Sequence, residues 1–439
     1  MSGQKKIETF HISTFGCQMN LADSSTLVAT MHSRGYRRVD DEKDADLIIL
    51  NTCSVREKAE QRVIGRLGEI YKFKRTRPAL KVAVVGCMAQ RMGEKLLEKV
   101  PHVDYVLGTD RIFELPDVIE GSEGTNRVMT AFGHENIDVI TPTKETPFSG
   151  FVTISRGCDN YCTYCIVPYV RGKERSHSAD FIVDSIKKLA DEGVVEITLL
   201  GQNVNSYNCD GVDFPDLLVR TAEETSVKRI RFMTSHPKDF SFKLVDVMAA
   251  QPKVAPHIHL PLQSGSDRIL KKMGRVYTVE HYRRVVEYIR SRLDYVCLTT
   301  DLIVGFPTET EDEYRATLDI VREIGFDSAF MFRYSVRPGT TAARFLDDVP
   351  EKQKIDRLKN LIALQQEISL SRNQRELGQV RFSLVEGSAR RDNHLMRART
   401  EGNKIVLFEA DNIEPGSMRP IRITQADAFT LHGTIEEPS

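Results

Sequence analysis

The sequence predicts an α/β protein in three parts: an N-terminal doubly wound parallel-sheet domain, a central partial (βα)6 barrel and a small C-terminal antiparallel β-barrel. Three patterns carry that reading. Short apolar runs alternate with helix-like stretches over the first ~120 residues. Six strand–helix repeats then fill about 190 residues, too few for a full eightfold barrel. Five short strands separated by polar or Gly-containing turns occupy the last ~65 residues.

In the first part, "TFHISTF" precedes Cys17, "DADLIILNTC" ends at Cys53 and "LKVAVVGC" ends at Cys87. Stretches such as "LADSSTLVATMHSRG" supply the intervening helices. Ligands on doubly wound sheets gather beyond the carboxyl ends of the strands, so three cysteines distant in sequence can meet in one crevice. Cysteine also closes strands for packing alone, but three strand ends in succession favour a metal site. Gly, Thr and Pro punctuate "GSEGTNRVMTAFGHENIDVITPTKETPFSG" as a linker. Strands then follow at "FVTISRG", "EITLLGQN", "RIRFMTS", "HIHLPLQ", "VCLTTDLIVG" and "SAFMFRYS", and a long charged helix leads into the tail. The expected boundaries are 1–125 for the N-terminal domain, 126–148 for the linker, 149–376 for the barrel and 377–439 for the tail.

Composition excludes little. Lys+Arg (61) and Asp+Glu (62) nearly cancel, so nucleic-acid binding has to use local basic patches. The tail offers one in Arg390, Arg391, Arg397, Arg399 and Lys404; "YKFKRTRP" offers a second, which also reads as the solvated end of a helix. No signal core and no run of eighteen apolar residues occurs, so a cytoplasmic protein without membrane contact is expected. In a reducing compartment its eight cysteines suit metal binding, catalysis or burial better than disulfides. Cys209 and Cys297 are expected not to bind iron.

"RGCDNYCTYCIVPYVRG" places Cys158, Cys162 and Cys165 directly after the first barrel strand. A structural zinc site wants four ligands, commonly from paired Cys-x-x-Cys units, and no second pair accompanies this loop. A 4Fe–4S cluster on three cysteines leaves one iron open to a small molecule. Cys-x-x-x-Cys-x-aromatic-Cys, with Tyr164 as the aromatic, resembles the signature of the radical S-adenosylmethionine (SAM) superfamily. That resemblance implies a TIM-like radical SAM barrel and a SAM-binding set. It would comprise Tyr164, Gln202 in "LLGQN", Gln263 and Asp301 toward the ribose, and Arg275 toward the carboxylate, which its planar fork suits. The superfamily's common Gly-Gly-Glu form is absent here.

The whole layout, with "NTCSVREKAEQ", "LLGQNVNSY", "RIRFMTSHP" and "HLPLQSGSDRIL", resembles the methylthiotransferases, specifically the MiaB branch. The resemblance implies a second 4Fe–4S cluster on Cys17, Cys53 and Cys87 and a C-terminal TRAM domain that contacts RNA. It also implies methylthiolation of C2 of N6-isopentenyladenosine at position 37 of tRNA. One SAM would supply the methyl group and another the 5′-deoxyadenosyl radical, which the strong C2–H bond requires. No catalytic residue is expected beyond the cluster ligands. The implied partners are tRNA carrying N6-isopentenyladenosine and an electron donor such as flavodoxin or ferredoxin; no strong oligomerisation signal stands out, and a monomer is expected. Methylthiolation of threonylcarbamoyladenosine in tRNA, or of a ribosomal-protein aspartate, is the alternative within the class. Outside it stands a zinc-stabilised RNA-binding protein.

Overall fold

A computed structural model describes residues 7–54, 57–121, 127–133, 141–389, 392, 394–410 and 413–436. The N-terminal sheet has six parallel strands, in the spatial order Arg37–Arg38, Thr9–Thr14, Leu47–Thr52, Lys81–Gly86, Tyr105–Leu107, Val128–Met129. Its central strand shows why: "LIILNT" is buried along its whole length, as a parallel strand covered on both faces must be. Ile48 and Leu50 enter one core with Val63 and Leu67 of the helix Glu57–Thr76. Leu47 and Ile49 enter the other with Leu27 and Met31 of the helix Gln18–Ser33.

The second unit has all six expected parallel strands: Ser149–Thr153, Glu196–Leu200, Arg229–Phe232, His257–His259, Cys297–Val304 and Ser328–Arg333. The first three join the antiparallel strand Thr143–Thr146 in a four-stranded sheet and the last three form a second sheet, with an isolated bridge between Ile230 and Val254 linking the two. Helices cover the outside. In Ala179–Asp191, Ser178 caps the first turn by accepting from the Phe181 amide at 3.2 Å, and Ile182, Ile186 and Leu189 face the strands.

The tail closes into a five-stranded barrel over Val385, Ala398, Val406, Phe408, Ile421 and Leu431. It docks on the second unit through two buried guanidinium groups. Arg229 donates to the Phe382 carbonyl at 2.7 Å and Arg231 to the Thr400 carbonyl at 2.8 Å, while both face Glu196. Among the described residues no helix is long and apolar enough to cross a membrane.

The expected linker is partly sheet. Val128–Met129 pairs with Tyr105–Leu107 as the sixth N-terminal strand, and Thr143–Thr146 pairs antiparallel with Ser149–Thr153. Edge strands this short carry no periodicity that could distinguish them from loop.

Candidate functional site

The loop bearing Cys158, Cys162 and Cys165 is pinned at both ends and in its middle. Arg175–Ser176 pairs with Ser155–Arg156 at its base. Next to that base Gly157 has φ +83°, and a Cβ there would fall 2.0 Å from the Lys173 carbonyl oxygen, so no side chain fits. Between Cys162 and Cys165, Thr163 donates from its amide to Met273 O (2.8 Å) and from its hydroxyl to Lys272 O (2.9 Å); its carbonyl accepts from the Ala342 amide (2.7 Å). Tyr164 packs on the cluster of Ile269, Met273 and Phe306, its ring edge-on to Phe306 at 6.5 Å. Its place is structural support of the loop as well as proximity to the thiols. Burial pushes the Cys165 thiol up to about 12 and raises Cys158 as well. Such thiols lose their protons when a metal takes the proton's place.

Of the polar residues expected around SAM, Gln202 and Gln263 lie just past strand ends, Asp301 lies within the strand Cys297–Val304 and Arg275 follows the helix Asp267–Lys272. Register puts Leu200 opposite Thr153 and Leu199 opposite Phe232, so Ser155, Gln202 and Ser235 follow three adjacent strands at one level. The side-chain Oε1 of Gln202 accepts from the Gly157 amide, tying the second strand to the cysteine loop. Gln263 sits in the left-handed region at φ +72°, a strained setting for a side-chain-bearing residue. Its amide donates to Asp301 O at 2.9 Å, and its carbonyl accepts from Ile303. The Asp301 carboxylate faces His259 Nε2 at 3.4 Å, a partner that sequence reasoning missed although "HIHLPLQ" contains it.

Arg275 is buried and donates to Cys162 Sγ at 3.4 Å, to Pro261 O at 2.9 Å and to the Tyr277 hydroxyl at 2.9 Å. It therefore braces Cys162, which its expected role toward a carboxylate did not include. Burial, with Arg275 and Lys238 nearby, pushes His236 down to about 2 and keeps it neutral.

Several buried polar atoms here have no hydrogen-bond partner among the described residues: Ser155 Oγ, Gln202 Nε2, Ser235 Oγ, His236 Nε2 and Gln263 Oε1. Buried polar groups are nearly always satisfied, so this set fits a polar ligand such as SAM. A polar cavity of about 330 Å³ opens beside the loop, lined by Asp159, Glu174, Asn203, Ser206 and Lys238. Of these, Asp159 lay in "RGCDNYCTYCIVPYVRG" and Asn203 and Ser206 in "LLGQNVNSY", whereas Glu174 and Lys238 lay outside the stretches the sequence singled out.

Cys17, Cys53 and Cys87 sit beyond the ends of three adjacent strands, where Thr14 stands opposite Asn51 and Asn51 opposite Val85. Gly16 and Cys53 approach so closely that a Cβ on Gly16 would lie 2.8 Å from Cys53 Cβ. A buried amide network sets the floor: Asn20 donates to Asn51 Oδ1 (3.1 Å) and Thr52 O (3.2 Å), and Asn51 donates to Ser24 Oγ (2.9 Å). Cys87 is buried against Ile166 and Val170, from the segment that follows Cys165. The Cys87 end of the N-terminal sheet thus faces the segment that follows the Cys158–Cys165 loop. Three thiols held apart at strand ends, with buried polar support, fit a second cluster. Among the described residues no three His, Cys, Asp or Glu side chains converge to hold a single metal ion. Cys297 is buried in its strand beside the Tyr295 hydroxyl at 3.3 Å, and Cys209 lies in a short hairpin.

The basic patch of the tail is largely neutralised. Arg390 and Arg391 lie outside the described residues. Arg397 and Arg399 share the carboxylate of Glu386 at 2.7 and 2.6 Å. Lys404 is corrected: its ammonium is buried between Asp327 (2.9 Å) and Glu376 (3.0 Å), so it joins the tail to the barrel and does not face RNA phosphates. A strand lysine reads as solvent-facing in sequence because its partners come from elsewhere in the chain. In the "YKFKRTRP" patch, Lys74 pairs with Asp104 and Arg77 donates to Ala45 O at 2.7 Å, as a helix end tied to its own domain.

Comparison with known proteins agrees with this geometry. Residues 9–108 match the Uncharacterized protein family UPF0004, and residues 152–321 match the Radical SAM superfamily. The chain is 45% identical over 437 residues to the tRNA-2-methylthio-N(6)-dimethylallyladenosine synthase of Moorella thermoacetica, covering 98% of each chain. It is 44% identical to the protein of that name from Pelotomaculum thermopropionicum, again over 98% of each. The radical S-adenosylmethionine methyltransferase TsrM of Kitasatospora setae, solved with cobalamin and a [4Fe-4S] cluster, shares the fold at TM-score 0.57 and 15% identity. That match covers 76% of this chain and 74% of the other.

Proposed function

The chain belongs to the family of the tRNA-2-methylthio-N(6)-dimethylallyladenosine synthases, radical SAM enzymes of tRNA modification, and on that premise we propose that it methylthiolates C2 of N6-isopentenyladenosine at position 37 of tRNA. One observation supports this reading most strongly. Cys87, one of the three strand-end cysteines of the N-terminal sheet, is packed on Ile166 and Val170 of the segment that follows Cys165. An enzyme that only generated a radical would need no second thiol set beside the first; one that inserts sulfur needs it there.

Cys158, Cys162 and Cys165 would hold one cluster and Cys17, Cys53 and Cys87 the other. When bound, these groups supply the electron that cleaves SAM and a sulfur for transfer. The chain's own residues do the positioning. Gln202 and Gln263 orient SAM from just past two strand ends and Asp301 from within the strand Cys297–Val304, with Tyr164 packing the loop. Arg275 holds Cys162 and keeps N–H groups free for the SAM carboxylate. The polar cavity gives an unstacked nucleobase a place off the RNA strand. Arg397 and Arg399 steer phosphates, two cations against the single carboxylate of Glu386. A flavodoxin or ferredoxin donates the electrons, and the enzyme works as a cytoplasmic monomer.

Nucleoside mass spectrometry of tRNA from a deletion strain tests the assignment. N6-isopentenyladenosine should accumulate, and its 2-methylthio derivative should vanish and return with the gene. Loss of a methylthiolated threonylcarbamoyladenosine, or of a methylthiolated ribosomal-protein aspartate, would redirect it to another substrate.

A further inference from the structure

A buried ion triad joins the two cysteine sites. Asp23, on the helix that begins after Cys17, is 1% exposed and sits between two guanidinium groups from the radical domain. Arg156 Nη1 donates to its Oδ1 at 2.6 Å and Arg171 Nη2 to its Oδ2 at 3.0 Å. Burial alone would raise the Asp23 pKa, but Arg156 and Arg171 hold it below the usual carboxylate range. The carboxylate is therefore ionised, and the triad carries one positive charge more than it neutralises. Arg156 also donates to the Thr109 carbonyl at 3.2 Å and lies over the face of Phe113.

Arg171 is different. It ends the helix Val167–Arg171, which follows Cys165, and its side chain is 4% exposed. Its Nη1 is buried with no oxygen or nitrogen partner among the described residues, and its guanidinium lies against the Cys87 thiol. The groups acting on its charge besides Asp23 are the thiols of Cys87 and Cys17, and Val170 beside it packs on Cys87. A buried, uncompensated cation with an open donor is costly unless an anion faces it. Three thiolates on an iron–sulfur cluster are such an anion, and sulfur bound at an open iron adds further negative charge.

We propose that Arg171 is a positioning residue of the Cys17, Cys53 and Cys87 site, contributed from the radical domain, whose guanidinium balances the charge of the iron–sulfur cluster bound there and hydrogen-bonds to its sulfur. This rests on the reading that those cysteines hold a cluster. The segment Cys165–Arg171 then serves both sites: its first residue is a ligand of one cluster and its last the counter-charge of the other.

The test uses the full-length chain carrying Cys158→Ala, Cys162→Ala and Cys165→Ala, so that any iron–sulfur signal comes from the N-terminal site. Iron content is measured first, then the midpoint potential by EPR-monitored titration. Reduction adds negative charge, which a nearby cation favours. Arg171→Gln should lower the potential so that the oxidised-to-reduced ratio at fixed potential changes about tenfold, or about 59 mV for one electron. Arg171→Lys should lower it by less. Asp23→Asn removes the opposing carboxylate and should raise it, whereas a purely structural role would not give opposite signs. A parent without iron would overturn the cluster reading and this proposal with it. Iron retained with unmoved potentials in Arg171→Gln, or in Asp23→Asn should the former lose iron, would overturn the assignment of Arg171 alone.

Discussion

The guanidinium of Arg275 donates to Cys162 Sγ at 3.4 Å while a second arm holds the Pro261 carbonyl at 2.9 Å, so one buried side chain ties the cysteine loop to the end of the fourth barrel strand. Arg275→Ala is expected to weaken SAM binding by about 1.5–3 kcal/mol, the range of a charge-assisted hydrogen bond, and to lower cluster retention. Pro261 O keeps a partner in the Tyr277 hydroxyl at 3.0 Å, so the fold should survive. Calorimetry with SAM on cluster-loaded protein checks this, and unchanged affinity with full iron content would remove Arg275 from the site.

Lys404 separates architecture from RNA binding. Lys404→Ala leaves Asp327 and Glu376 buried without their shared cation, and should destabilise the protein by about 3 kcal/mol at pH 7. The low end of the usual range applies because Arg372 still faces Asp327 at 3.3 Å. Burial raises the Asp327 pKa, but Lys404 and Arg372 outweigh it and hold the carboxyl below its ordinary 3.8. A depressed acid contributes stability above that ordinary value and loses it as pH falls through the folded pKa. The penalty of the substitution should therefore be full at pH 5–7 and shrink below about pH 3.8, as denaturant melts across pH would record. The salt dependence of tRNA binding should not change.

The double variant Arg397→Gln with Arg399→Gln should do the opposite. Both guanidiniums are partly exposed on one strand and share a single carboxylate. Each phosphate no longer neutralised flattens the plot of log affinity against log salt by about 0.9, so the slope should fall by up to about 2. SAM cleavage without tRNA should be untouched. An unchanged slope would return both arginines to the solvated surface.

How far the sequence could be read depended on the range of the interaction. Leu47–Thr52 and the cysteines after each strand were legible because apolar runs and strand ends are written locally. The six barrel strands and five tail strands were legible for the same reason. Lys404 was not, since its partners Asp327 and Glu376 belong to other elements and a charged strand residue reads as solvent-facing. The Asp23 triad was equally hidden: helix aspartates and loop arginines are ordinary surface residues until the two domains meet. His259 went unmarked because a histidine on a buried strand gains meaning only when Asp301 on the next strand faces it.

The cysteines of the N-terminal sheet carry the central claim, that a sulfur site stands within reach of the radical site. Replacing Cys17, Cys53 and Cys87 together with Ala and incubating the purified, cluster-loaded protein with SAM, reductant and isopentenyladenosine-containing tRNA tests it most directly. Mass spectrometry of the nucleosides, alongside quantitation of 5′-deoxyadenosine, is the readout. The account predicts measurable SAM cleavage with no 2-methylthio product. A variant that still made the 2-methylthio nucleoside would show that these three cysteines are packing residues and that sulfur comes from elsewhere.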